Sequence, residues 1–362
     1  MPPVAVRILH PGPGLESGPL SRWVSDARAA LSEHHRRGFV AAGADDVAIV
    51  SGPPDDRTFG DRLRELVADI GEGGLIVLGS RSIPLATSND RKAFVAVAGG
   101  EARRALANNR YSADVVAIAR VETLPTIPDL PGDNALPRWL EEVAGHQVDD
   151  LRRRWRLAVD IDGPLDLVLV GAGGAGDPAD LSLLGSRIEA LRAIAADPRA
   201  EVLVGGRTSS GTLAWLERHA AARTRAWVEE RGLRAASRLP QDDAPATRRP
   251  DRPPGSILGL LLDRDGPGSL GDHLARFADA AIVDSRVLLA HRVGAEEAGW
   301  PAAEDRFASD LLLADRIVDP WLRELTASAA AAPIPVLLGG HTLVGPGARL
   351  VVGGTPGRAP WR

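Results

Sequence analysis

The chain has 362 residues, a formal net charge of −5 and no cysteine. The acidic balance excludes the electrostatic footprint of a nucleic-acid or anionic-membrane binder, which needs an excess of clustered Lys and Arg. The missing cysteine excludes disulfides, thiolate nucleophiles and cysteine-ligated metal centres.

The length exceeds a usual single domain, so two domains are expected, each able to bury its own core. The opening "MPPVAVRILHPGPG" lacks a basic end followed by a long apolar run, and no run of eighteen apolar residues occurs. Both features predict a soluble cytoplasmic protein without a membrane partner. Lys92 is the sole lysine, so any lysine-based mechanism has one candidate.

In chain order, "VAVRIL" (4–9), "DVAIVSG" (46–52), "GLIVLGS" (74–80), "RALANN" (104–109) and "SADVVAIA" (112–119) read as strands. Helical stretches lie between several of them: 21–43, 59–71 and 88–100. Short buried runs separated by amphipathic helices are the pattern of crossover units on a mainly parallel sheet. A proline-rich connection (122–137) leads to an expected helix over 138–155 and then to "RLAVDIDGPLDLVLVG" (156–171). The glycine-rich segment 171–180 reads as a linker, which puts a domain boundary near residue 178.

The second half, 179–362, predicts a helix (181–197), the strand "EVLVGG" (201–206) and a helical arm from Ser209 to about Ala236. Segment 237–256 carries many prolines and charges without apolar period and predicts a mobile loop. Then "SILGLLLD" (256–263), 270–279 and 280–292 read as strand, helix, strand; a helical stretch (303–331) and the strand "IPVLLGG" (334–340) follow.

Three loop stations follow strands in the first half. The first is Gly79, Ser80, Arg81, Ser82, Ile83, Pro84, Leu85; the second Asn108, Asn109, Arg110, Tyr111, Ser112, Ala113, Asp114; the third Asp160, Ile161, Asp162, Gly163, Pro164, Leu165. Strand alternation places Asp160 and Asp162 on one side with Ile161 opposite, so both carboxylates can share one cation. Equally, Asp162-Gly163-Pro164 is a turn that caps a following helix. Asn108, Asn109 and Arg110 read either as contacts to a base or sugar, or as a turn.

These stations resemble the MobA-like nucleotidyltransferases of the GT-A fold, nearest to the 2-phospho-L-lactate and molybdenum-cofactor guanylyltransferase groups, over residues 1–175. The resemblance implies a GT-A-like, Rossmann-like nucleotide-binding domain over 1–178; the helix–strand alternation of 179–362, outside the resemblance, predicts a second α/β domain. It implies transfer of a nucleotidyl group from a nucleoside triphosphate to a small phosphorylated acceptor. Asp160 and Asp162 would hold Mg²⁺, Arg81 would meet phosphate, and Gly79, Ser80, Ser82 and Asn108 to Arg110 would contact the nucleotide. The chain departs from the family in two places. The phosphate loop is represented by Gly12, Gly14 and Gly18 with interleaved prolines and no lysine, which leaves fewer N–H donors. Serine and arginine stand where the strand-end aspartate belongs, and Arg81 supplies a positive charge there instead. Two alternatives therefore stay open: a non-catalytic nucleotide-binding or scaffold protein, and a glycosyltransferase that uses a nucleotide-sugar. Self-association into a homo-oligomer is likewise open.

In the second half, Arg207, Thr208, Ser209 and Ser210 at a strand–helix junction read as an anion site or as simple capping. His341, and Asp284, Arg286, His291 and Arg292, offer acid–base groups without a recognisable catalytic motif around them. His34 and His35 are expected to face solvent. Asp305, Asp310 and Asp315 recur every five residues, about 140° apart on a helix, so they share no face and are expected to be solvated.

Overall fold

The computed structural model describes residues 2–14, 17–53, 55, 57–130, 132–173, 179–230, 254–354, 357, 359 and 361. The chain folds as α/β, with a mixed six-stranded sheet and a parallel four-stranded sheet.

The first half contains β1 (Val4–Pro11), α1 (Pro19–Ala41), β2 (Asp46–Gly52), α2 (Phe59–Ile70), β3 (Gly74–Gly79) and α3 (Ser88–Ala98). It continues with β4 (Arg104–Ala107), β5 (Val115–Ile118), α4 (Leu136–Glu142), β6 (Gln147–Asp150) and α5 (Pro164–Leu169). Strand order is β2-β1-β3-β5-β4-β6, with β5 antiparallel to both neighbours. Alternation along the strands feeds two apolar layers. Val4, Val6, Ile8, Ile76 and Leu78 pack with Phe39 of α1 and Phe94 of α3. On the opposite face Leu75 and Val77 pack with Leu63 of α2 and Trp139 of α4.

The second half contains α6 (Ser182–Ala195), β7 (Glu201–Gly206), α7 (Ser210–His219), β8 (Arg223–Val228), α8 (Ile257–Asp265), α9 (Leu270–Ala275) and β9 (Ala280–Asp284). Then come α10 (Ser285–Val293), α11 (Ala303–Asp310), α12 (Pro320–Ala331), β10 (Val336–Gly339), α13 (His341–Val344) and α14 (Gly347–Gly353). Strand order is β10-β9-β7-β8. Among the described helices none is long and apolar enough to cross a membrane.

Four local expectations are corrected. The helix expected over 138–155 stops at Glu142, and beyond Gly145, at φ +70°, residues 147–150 pair in parallel with β4. The helical arm from Ser209 ends at His219, after which Arg223–Val228 is the edge strand β8. The run 256–263 is helix α8, because Ser256 accepts from the Gly259 amide and Leu258 and Leu262 fall on one buried face. The strand expected over 280–292 turns helical at Ser285, where Asp284 accepts from the Arg286 amide. Residues 231–253, most of the loop expected over 237–256, and 174–178 at the expected boundary lie outside the described residues.

One apolar cluster joins the halves. It combines Leu20, Trp23, Val24, Ala27 and Leu31 of α1, the segment from Val159 to Ala172, and the strands of the second sheet. At 1.5 Å per residue α1 is about 34 Å long, enough to line the first sheet with its end and this shared core with its start. Leu165 touches the second sheet so closely that a Cβ on Gly339 would lie 3.0 Å from its Cδ2. Leu165→Ala is therefore expected to destabilise the protein by about 2–4 kcal/mol. In hydrogen exchange, β3 and β9 should lose protection together; loss in one sheet alone would contradict a shared core.

Candidate active site at the junction of the two halves

In the first sheet β1 lies between β2 and β3, and α1 and α2 cover opposite faces. The strand order thus reverses at β1, and α/β sheets bind ligands outside the carboxyl ends of strands at such a point. A cavity of about 470 Å³ opens there. Its walls include His10 from β1, Arg28 from α1, Arg57 just before α2 and Arg62 in its first turn, and Gly79, Ser80 and Arg81 at and just past the end of β3. Asp114 and Asp133 close the far side. Ile83, just past Arg81, is buried at φ +45°, an uncommon backbone for a β-branched residue and a sign of local strain.

Next to the cavity lies the 160–163 turn. Asp160 forms a single bridge with Ser82, so this station is a bridged turn and not a strand end. The Ile161 amide donates to the Arg81 carbonyl at 2.9 Å. From α1, Arg28 donates to the carbonyls of Ile161 (2.8 Å) and Asp162 (3.1 Å). Asp166 accepts from the amides of Asp162 and Gly163, both at 2.9 Å, which caps α5 with Pro164 in its first turn. The capping is thus done by Asp166, and the side chains of Asp160 and Asp162 are left to other partners.

Asp162 Oδ1 lies 3.4 Å from the Arg81 guanidinium, and its Oδ2 lies 3.4 Å from His341 Nδ1 at the start of α13. Asp160 is 3% exposed, and among the described residues no donor reaches its Oδ1. Burial raises the Asp160 carboxyl well above the usual range, helped by the like charges of Asp114 and Asp162 and by a side-chain hydrogen bond shared with Asp114. Burial pushes Asp162 the same way, but the charges of Arg81, His341 and Arg28 prevail and hold it below the usual range. Asp133 is raised to about 6 by burial and by Asp114. Arg81 is held protonated chiefly by Asp162.

Of the other residues named from sequence, Gly79 and Ser80 line the cavity, whereas Ser82 is buried behind it in the bridge to Asp160. Asn108 spends its amide on architecture: Nδ2 donates to Asp114 and the Leu157 carbonyl, and Oδ1 accepts from the Asp114 amide. Asn109 accepts from the Tyr111 amide, and Arg110 pairs with Glu141 above the Tyr111 ring. Neither Asn109 nor Arg110 is among the cavity-lining residues, nor are Gly12 and Gly14.

The first turn of α1, where the resemblance would put nucleotide phosphates, is filled by Glu304 of α11. Its carboxylate accepts from the amides of Leu20 (2.9 Å) and Ser21 (3.0 Å) and from the Ser21 hydroxyl (2.7 Å).

Two further expectations are corrected. His35 is fully buried, its Nε2 on the Ser82 carbonyl, and burial lowers its pKa to about 3. Asp305 and Asp310 are buried: Asp305 accepts from the amides of Val318 and Asp319, and Asp310 forms a two-pronged pair with Arg286. At the second-half junction Arg207 is forked onto Asp284, and Ser209 caps α7 by accepting from the Thr212 amide.

Sequence reasoning did not select Arg28, Asp114 and Asp133, nor assign His341 to this site. Asp114 closes the second station, which was the available signal; Arg28 sits in mid-helix and Asp133 opens a single 3₁₀ turn before α4, where spacing says nothing. Compared with known proteins, the chain matches no protein-family model and no curated protein.

Two outcomes follow. Carbon-13 titration of the Asp133 carboxyl should give a midpoint near 6. Between about pH 4 and 6 the folded state then keeps a proton that the unfolded chain releases, so this group's contribution to stability falls as pH rises through that window. Asp133→Asn should remove that slope. Glu304→Ala leaves two helix N–H groups without their acceptor and is expected to cost about 1–2 kcal/mol, read by chemical denaturation.

Proposed function

We propose that the chain is a divergent nucleotidyltransferase-like protein that binds a nucleoside triphosphate at the carboxyl edge of β1 and β3 and passes the nucleotidyl group to a small phosphorylated acceptor. The observation that supports this reading is a shared wall. Arg81 and Asp114 line the cavity, while Arg81 also pairs with Asp162 and Asp114 adjoins Asp160. A volume of about 470 Å³ lies within the range of small-molecule pockets.

In the reaction an acceptor phosphate oxygen bonds to the α-phosphorus as the bond to the bridging oxygen breaks, and pyrophosphate leaves with that electron pair. Arg81 and Arg28 place guanidinium charge where phosphate oxygens gather negative charge. Asp114 and Asp133 present carboxyl groups to donors on the sugar or base. Asp160 and Asp162 suit a divalent cation, because a buried carboxylate oxygen without a donor is the kind of ligand such an ion satisfies. When bound, an ion such as Mg²⁺ supplies neutralising charge to the transferred phosphoryl group.

A second reading, a non-catalytic nucleotide-binding or scaffold protein, is favoured by Glu304, whose carboxylate occupies the helix start beside the loop that the resemblance assigns to phosphates. Thermal-shift titration with the four nucleoside triphosphates, with and without Mg²⁺, tests the proposal. One triphosphate should raise the midpoint in a cation-dependent way, by a stabilisation of about 2.7 kcal/mol at one hundred times its Kd. Asp160→Ala/Asp162→Ala and Arg81→Ala should lose the rise. Pyrophosphate release with a phosphorylated acceptor separates transfer from binding alone, and no shift with any triphosphate would refute the proposal and favour the non-catalytic scaffold.

A further inference from the structure

We propose that His341, carried by the second half, is the third protein ligand of the divalent cation held by Asp160 and Asp162. The ion then bridges the two halves and belongs to the Mn²⁺, Co²⁺ or Zn²⁺ class in preference to Mg²⁺. This rests on the cation part of the nucleotidyl-transfer reading and does not require the nucleotide.

The geometry carries the assignment. One ligand atom from each of Asp160, Asp162 and His341 lies within 4.8 Å of the others. Donors at about 2.1 Å around a tetrahedral ion stand about 3.4 Å apart. That is the spacing already found between Asp162 Oδ2 and His341 Nδ1, 3.4 Å, and the other spacings, within 4.8 Å, have at most about 1.4 Å to close. Asp162 divides its oxygens: Oδ1 faces Arg81 and Oδ2 faces His341 Nδ1. An ion at Oδ2 therefore leaves the arginine contact in place. Asp160 is 3% exposed; its Oδ1 meets no donor among the described residues, and its side chain instead lies in hydrogen-bond contact with the acidic Asp114, a crowding of carboxyl groups that a cation relieves. The side chains of Asp162 and His341 are 32% and 39% exposed, so an ion can enter from solvent.

Ligand chemistry sets the class. Mg²⁺ prefers all-oxygen octahedra and gives up water reluctantly, whereas imidazole nitrogen favours later first-row ions. Position sets the structural consequence. His341 follows β10 through Gly340, and Asp160 and Asp162 are fixed by α1 and β3. An ion common to these residues ties the end of the second sheet to the cavity wall of the first.

The test uses metal-free full-length protein titrated with Co²⁺, Mn²⁺ or Mg²⁺ by calorimetry, with visible absorption for Co²⁺, on wild type, His341→Ala and Asp160→Asn/Asp162→Asn. Wild type should bind Co²⁺ and Mn²⁺ at least about tenfold more tightly than Mg²⁺. His341→Ala should weaken Co²⁺ by about tenfold or more and leave Mg²⁺ little changed. The double variant should bind none of them. Spin-echo spectroscopy of Mn²⁺-loaded wild type should show coupling to a histidine nitrogen, which keeps the proposal testable if His341→Ala misfolds. Unchanged Co²⁺ affinity in a folded His341→Ala, no nitrogen coupling, or no cation binding by wild type would each overturn it. If Co²⁺ binds through His341 while no triphosphate shifts the midpoint, the inference stands and the nucleotide reading falls. If a triphosphate binds and Co²⁺ affinity ignores His341, the reverse holds.

Discussion

Arg28 is the interaction on which the rest of the site depends. Its guanidinium is half-buried in mid-helix, and that burial lowers its pKa from the ordinary value. The carbonyls of Ile161 and Asp162 take its hydrogen bonds, and the carboxylates of Asp162, Asp166 and Asp160 offset its charge. The same contacts fix the backbone of the turn that carries both acidic side chains. Because Arg28 also lines the cavity, the group that sets the turn's position is in reach of whatever the cavity binds.

Around that clamp the second half supplies the outer supports. Helix α11 contributes Glu304 to the start of α1, Phe307 and Asp310 beside Gly163, and through Asp310 the pair with Arg286. A Cβ at Gly163 would lie 3.2 Å from Asp310 Oδ2, so a glycine is what lets the turn approach this helix so closely. His341 completes the enclosure from β10. Among the described residues the two sheets share no strand pairing, yet the charged groups of the site come from both halves.

Helix–strand alternation in the first half was legible because each buried run was short, apolar and followed by an amphipathic stretch. Errors fell where a short apolar run fits either period. Leu258 and Leu262 serve a helix as readily as a strand until Ser256 is seen to cap it. Residues 147–150 carry two aspartates and become a strand only because β4 offers an unpaired edge. At the candidate site, Arg81 was legible from its place after β3 and the acidic pair from its spacing, although the pair sits in a bridged turn and not at a strand end. Asn108 was equally visible, but its amide is consumed in holding Asp114 and the Leu157 carbonyl.

The sequence by itself determined the α/β class, most strands of both sheets and the acidic pair in the turn, since these rest on local periodicity and on residues close in the chain. Tertiary structure alone decided that Arg28 clamps this turn from about 130 residues away, that Glu304 fills the start of α1, and that His341 faces Asp162. Such contacts come from burying one apolar core between two sheets, and a core of that kind selects its neighbours by shape and area, which leave no period in the chain.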